Sequence, residues 1–307
     1  MTTHRSSRSR WLALWAALCL AVTAPAQAAL RVFACEPEWA ALTRELAGPQ
    51  AEVYTATQAL QDPHRVQARP SLIAAVRRAD LVVCTGAELE AGWLPLLLRQ
   101  SGNARVQVGA PGYLEAASAV TMLDVPTHLD RAQGDVHAAG NPHIQTAPST
   151  FAAVAPVLTR RLVALDAANA PLYQQRLADF QQRWAQASAR WARQAAPLKG
   201  VRIAVQHQGF VYLERWLGLE QVVALEPKPG VEPSSAHLAQ VLRVVQERPV
   251  RMVLRAAYSD GRGSQWLAER ARLPVVVLPF TVGGSEQAGD LFGLFDDTLA
   301  QLLKVLP

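Results

Sequence analysis

Apolar positions fall into two kinds of run. Short ones at Leu30 to Cys35, Glu52 to Ala56 and Leu81 to Cys84 read as strands, and a further short strand is expected around Arg105 to Val108. Longer runs at helical spacing predict helices from Trp39 to Leu46, stopping at Gly48-Pro49, and from Pro70 to Arg78. Two long helices follow, Phe151 to Asp166 and Pro171 to about Ala196, the second with Leu172, Leu177, Phe180, Trp184 and Trp191 on its apolar face. Strands then return at Val201 to Val205, Gln221 to Leu225, Met252 to Leu254 and Val275 to Leu278. Between and after them come helices at Phe210 to Leu217, Ala236 to Gln246 and Ser264 to Arg270, with a last one from Asp290.

Strand–helix–strand alternation predicts parallel sheets. Because it occurs on both sides of the long helix, the expected fold is α/β, with two mainly parallel lobes joined by a rigid helix. The divisions are an N-terminal lobe at 29–168, a linking helix at 169–196 and a C-terminal lobe at 197–307. The first lobe includes an irregular loop at 109–148, rich in Gly, Pro, Asp and His, and loops of that length tend to be functional or disordered.

The first 28 residues stand apart. Arg5, Arg8 and Arg10 precede the apolar run Trp11 to Val22, and Ala26-Gln27-Ala28 offers a small-x-small cleavage site, the pattern of a secretory signal peptide. Leu18 stands before Cys19 where lipidation wants a small residue, so no lipid anchor is expected. Composition agrees with a folded exported protein: of 307 residues 50% are hydrophobic and 18% charged. Without the three leader arginines the net charge falls from +5 to +2, too little for a phosphate-tracking surface, and no nucleic-acid partner is expected. Removing Cys19 leaves Cys35 and Cys84, enough for one disulfide and too few for a cysteine-based zinc cluster.

Ligands of open α/β sheets bind beyond the carboxyl ends of strands. His64 follows the second strand, His143 lies in the long loop, and His207 directly follows the first strand of the second lobe. Three imidazoles from both lobes would suit zinc, copper or nickel better than manganese, which prefers carboxylates. The alternative is three unrelated loop histidines.

The motifs carry more. Asp62-Pro63-His64 with Arg69-Pro70-Ser71, Asn141-Pro142-His143, His207-Gln208-Gly209-Phe210-Val211-Tyr212 and Glu232-Pro233-Ser234 resemble, in order and spacing, the zinc and manganese solute-binding proteins of ABC importers. The resemblance implies a metal cleft between the lobes, with His64, His143 and His207 as ligands, and the third histidine points to the zinc branch. It also implies a periplasmic, non-enzymatic monomer that delivers zinc to a membrane permease. A fourth ligand in such proteins is often an acid after the last strand of the second lobe, where Val282 stands here. Water, Asp290, Glu232 or a loop histidine remain as substitutes.

His128 and His137, with Asp124, Asp130 and Asp135, make a thin version of a metal-gathering loop, or simply a solvated one. Asp62 either orients His64 or caps a turn. Cys35 and Cys84 would lie on neighbouring strands in the family's sheet order, which suits a disulfide, with a thiolate ligand as the sharper alternative. A three-histidine zinc hydrolase and a zinc chaperone or adhesin without a transporter are the rival functions.

Overall fold

The computed structural model describes residues 28–128, 134 and 137–306. The expected signal peptide falls outside the described residues apart from Ala28, as do Asp130 and Asp135 of the loop.

The first lobe is built from β1 (Leu30–Ala34), α1 (Pro37–Ala47), β2 (Ala51–Thr55), α2 (Pro70–Arg78), β3 (Leu81–Cys84), α3 (Leu94–Ser101) and β4 (Tyr113–Glu115). Its four parallel strands run in the order β2-β1-β3-β4. Two long helices follow, α4 (Pro148–Leu165) and α5 (Ala170–Gln194). The second lobe comprises β5 (Arg202–Val205), α6 (Val211–Leu217), β6 (Glu220–Ala224), α7 (Ser235–Glu247), β7 (Met252–Ala256), α8 (Arg262–Ala271), β8 (Val275–Leu278) and α9 (Leu291–Leu303). Its parallel sheet has the order β6-β5-β7-β8, the same winding as the first. The expected fold of two α/β lobes is what forms.

Each sheet is covered on both faces, which is why its strands read as continuous apolar runs. On one side Val82 and Phe33 of the first lobe pack with Leu72, Val76 and Leu97 of α2 and α3, and in the second lobe Ala204 and Val253 pack with Val241 and Leu267 of α7 and α8. The opposite faces share one core that runs through both lobes. Its centre is aromatic: Trp184 of α5 lies 5.5 Å from Phe151 of α4, 5.2 Å from Trp191, and 5.0 and 5.6 Å from Phe292 and Phe295 of α9. At 25 residues α5 is about 37 Å long and spans both lobes as a single element. Tyr173, rather than Leu172, enters the core from its first turn, because its hydroxyl finds a partner in the buried Asp166 carboxylate at 2.6 Å.

Two expectations need correction. No strand forms at Arg105 to Val108; Ala104–Val106 is a single 3-10 turn, opened by the Asn103 side chain accepting from Arg105 N. The edge strand is β4 instead. Gly112 lets the chain arrive there, since a Cβ at that position would sit 2.5 Å from the Asp80 carbonyl oxygen. The helix α3 was not expected; its Leu94, Leu97 and Leu98 are buried while its proline sits in the first turn, where no amide is lost. The stretch 109–148 is thus not one loop, since among its described residues it holds β4 and the 3-10 turns Ala116–Ala119 and Ile144–Thr146.

Cys35, just past β1, and Cys84, at the end of the adjacent β3, form a disulfide, so a thiolate ligand role for either is overturned. Among the described residues no helix is long and apolar enough to cross a membrane.

Candidate metal centre

His64 sits on the turn-rich segment that leaves β2. Asp62 Oδ1 accepts the His64 backbone amide at 3.0 Å and faces His64 Nδ1 at 2.9 Å, so one carboxylate oxygen both closes the turn and orients the ring. Trp93 donates its indole N–H to the Pro63 carbonyl at 2.9 Å and fixes this turn from beneath. Burial works against the Asp62 charge, but its hydrogen bonds to His64 and the nearby His64 and Arg65 charges hold its carboxyl below the usual range. A proton on Nδ1 follows from that partner, which leaves Nε2 as the lone-pair nitrogen. That Nε2 is buried and without a hydrogen-bond partner.

His143 and His207 come from different lobes and are locked together by their own motifs. Asn141 Oδ1 accepts the His143 amide at 3.1 Å, and its Nδ2 donates to the Gln208 carbonyl at 2.7 Å. Tyr212 donates its hydroxyl to the Asn141 carbonyl at 2.9 Å and accepts from Leu123 N at 3.1 Å. Gly209 fills the space between the two rings: a Cβ there would stand 3.1 Å from His207 Cδ2 and 3.2 Å from His143 Cδ2. His207 Nδ1 faces Glu226 Oε2 at 2.7 Å, and the same oxygen accepts Gly230 N at 2.8 Å. Arg65 then donates to the Gly230 carbonyl at 3.0 Å, tying the His64 segment of one lobe to the Glu226 segment of the other.

The three rings converge. Centroids lie 5.2 Å apart for His64 and His143, 5.3 Å for His143 and His207, and 6.0 Å for His64 and His207. His143 Nε2 and His207 Nε2 stand 3.2 Å apart. Two nitrogens bound to one tetrahedral zinc at ordinary bond lengths are about 3.3 Å apart. Burial, and then the His64, His207 and His137 imidazoles, push the His143 pKa well below the usual imidazole value, so this ring is neutral. His64 and His207, each with Nδ1 against a carboxylate, and the buried His143 beside them bring three imidazole nitrogens together as a donor set for a divalent cation. Elsewhere, ligand-type atoms of Cys35, Cys84 and Glu90 lie within 4.8 Å of one another, but the two sulfurs are bonded to each other.

The family described as ZnuA, zinc-uptake complex component A, periplasmic, matches residues 32–305. The chain belongs to the ZnuA family. It is therefore a metal-binding solute-binding protein of ABC importers, extracytoplasmic and not an enzyme, which removes the hydrolase alternative. Similar proteins of Streptococcus pneumoniae include the manganese ABC transporter substrate-binding lipoprotein PsaA, 21% identical over 82% of this chain and 80% of that one. The zinc-binding lipoprotein AdcA of S. pneumoniae (strain TIGR4) is 23% identical over 74% of this chain and 44% of its own length. Among solved structures, ZnuA superposes with a TM-score of 0.74 at 22% identity, covering 89% of this chain and 99% of that one. The laminin-binding adhesin Lmb of Streptococcus agalactiae, in a mutant form, gives 0.70 at 21% identity, with 89% and 99% covered.

In the second lobe, the loop after β8 puts no carboxylate where the sequence resemblance led one to be expected. Phe280, held at φ 67°, brings its ring to 5.3 Å from His143, while Val282 lines a separate pocket with Ala41, Arg44 and Arg176. Asp290 caps α9 by accepting Gly293 N at 2.7 Å. Glu232 is exposed, and the nearby Arg262 is paired with Asp260. His128 is exposed, whereas His137 joins the cluster, its ring 5.4 Å from His64. Sequence reasoning missed Glu226 and the support given by Trp93. Glu226 carried one readable signal, an acid just past a strand's carboxyl end in the lobe that supplies His207.

Proposed function

We propose that this chain is a periplasmic zinc carrier: it captures zinc between its lobes with His64, His143 and His207 and hands it to the membrane permease of an ABC importer. The carrier's first lobe is 29–168, its second 197–307, and 169–196 links them; residues 1–28 are a cleaved export signal. The observation that carries the reading is the all-nitrogen donor set. Both carboxylates at the centre, Asp62 and Glu226, are engaged with histidine Nδ1 atoms, and Phe280 stands against His143 on the β8 side. Nitrogen donors favour zinc over manganese, a cation better served by carboxylate oxygen. Zinc enters as neutral imidazoles close around it, and the carboxylates behind His64 and His207 raise ring basicity and fix the angle of approach.

The test is calorimetric titration of the mature, chelator-stripped protein with zinc and with manganese. One tight zinc equivalent, lost in each of His64→Ala, His143→Ala and His207→Ala, supports the reading. Variants that bind zinc like the wild type overturn it.

A further inference from the structure

Behind the zinc site proposed above, on which this inference rests, a line of polar contacts joins a ligand of the first lobe to a ligand of the second. We propose that Arg65 is the positioning residue of that line: by bridging Asp62 to the Gly230 carbonyl it holds His64 and His207 at their binding separation and sets how long zinc stays.

The line runs from ring to ring. His64 Nδ1 faces Asp62 Oδ1 at 2.9 Å, and the other oxygen of that carboxylate pairs with Arg65 Nε at 3.8 Å. Arg65 Nη2 donates across the cleft to the Gly230 carbonyl at 3.0 Å. Gly230 N donates to Glu226 Oε2 at 2.8 Å, and that oxygen stands 2.7 Å from His207 Nδ1. Asp62, Arg65, Gly230 and Glu226 thus connect two imidazoles that belong to different lobes.

Backbone fixes both ends. Arg65 N donates to the Asp62 carbonyl at 3.2 Å, closing the turn that carries His64, and Trp93 holds that turn through the Pro63 carbonyl. Glu226 N donates to the Gln206 carbonyl at 3.1 Å, which pins the acid to the strand end from which His207 leaves. Gly230 takes φ 76°, a conformation glycine adopts without steric cost, with its N–H on Glu226 and its carbonyl on Arg65.

A guanidinium suits this span. Its Nε and Nη2 are separate donors held in one plane, so a single side chain addresses a carboxylate of its own turn and a carbonyl of the other lobe. Asn141, donating to Gln208 and accepting from Tyr212, already ties His143 to the lobe of His207. The pair left to join is His64 with His207, the most widely spaced of the three at 6.0 Å between ring centroids, and it is the pair that Arg65 spans.

The Arg65 side chain is 68% exposed, and Pro229, next to Gly230, lines the solvent-facing pocket with His143 and His207. So exposed an ionic contact adds little to folding stability. Its effect falls on the two ligands instead: an open bridge lets His64 part from His207 and zinc leave. A role through charge alone has the opposite sign, because a positive group near the site repels zinc, and neutralising it would tighten binding.

Stopped-flow release of zinc from the loaded mature chain into excess chelating dye tests this. Arg65→Met keeps the apolar stem and removes the donors. It is expected to release zinc about tenfold faster, the size of effect seen when a support behind a metal ligand is lost. The melting temperature of its zinc-free form is expected to match the wild type. In a Glu226→Ala background, where the line is already cut, Arg65→Met is expected to change the release rate by less than about twofold. Release from Arg65→Met at the wild-type rate or slower overturns the proposal, and so does an undiminished effect in Glu226→Ala. Faster release together with a lower zinc-free melting temperature would make Arg65 a general structural support and overturn it as well. A wild type that takes up no zinc would sink the underlying site, whereas normal zinc uptake with unchanged release in Arg65→Met removes this assignment alone.

Discussion

Two clusters of titratable side chains are withdrawn from water in this molecule, and they are satisfied in opposite ways. At the cleft, His64 and His207 lean on carboxylates through Nδ1, and the Nε2 atoms of His143 and His207 face one another at 3.2 Å. Beyond the ends of β1 and β3, Glu36, Glu38 and Glu90 are buried and bound to the protein itself. Glu90 accepts Thr85 N at 2.7 Å and Gly86 N at 3.1 Å, Glu36 accepts the Thr85 hydroxyl at 3.1 Å, and that hydroxyl accepts the Trp39 indole N–H at 2.8 Å. Glu38 accepts the hydroxyl of Thr281 from the second lobe at 2.5 Å. Burial, and then the Glu90 and Glu38 charges, push Glu36 well up, and burial pushes Glu38 and Glu90 up to about 7. The carboxyl cluster closes on itself with a proton, whereas the imidazole cluster is the one proposed to take a cation. On that reading the first is architectural and the second functional.

The largest effect should come from removing a ligand. His143→Ala is expected to weaken zinc by about a thousandfold or more, while the melting temperature of the zinc-free protein, followed by circular dichroism in chelator, stays level or rises because a desolvated imidazole is gone. A drop in zinc-free stability would make the cleft cluster architectural too. Next is the disulfide beside the carboxyl cluster: cross-linking across 49 residues is worth about 4 kcal/mol by loop entropy. Cys35→Ala with Cys84→Ala should lower stability toward denaturant by that order yet leave zinc affinity intact.

A smaller change probes the supports. Glu226→Gln should weaken zinc about 10- to 100-fold without altering the melting temperature of the zinc-free form, as calorimetry and thermal melts would show. Smallest is the pH effect. Glu90 holds its proton in the folded state up to about pH 7 but near 4.5 when unfolded, so its contribution is complete below 4.5 and is lost as pH rises through 7. Denaturant stability should therefore decline from pH 5 to pH 8, and Glu90→Gln should flatten that slope. A slope unchanged in the variant would remove Glu90 as its cause.

Much of this was legible in the chain. Continuous apolar runs gave away strands covered on both faces, and the histidines were conspicuous because they fall where parallel strands end. What stayed hidden depends on contacts between distant segments. Glu36 and Glu90 become a pair only because β1 and β3 are adjacent, and Glu226 meets His207 only because β6 pairs with β5. The edge strand β4 was missed because three residues carry too little pattern, and Gly112 before it reads as a turn. His137 was one of two loop histidines alike in sequence, and the fold brings its ring, not that of the exposed His128, to within 5.4 Å of His64.

The central claim is that the imidazole nitrogens of His64, His143 and His207 select zinc at the cleft. The most direct measurement is a competition titration in which manganese in large excess is present while the wild-type mature chain is titrated with zinc. The account predicts one zinc equivalent bound with an affinity that manganese barely shifts. A zinc isotherm displaced in proportion to manganese concentration would contradict it.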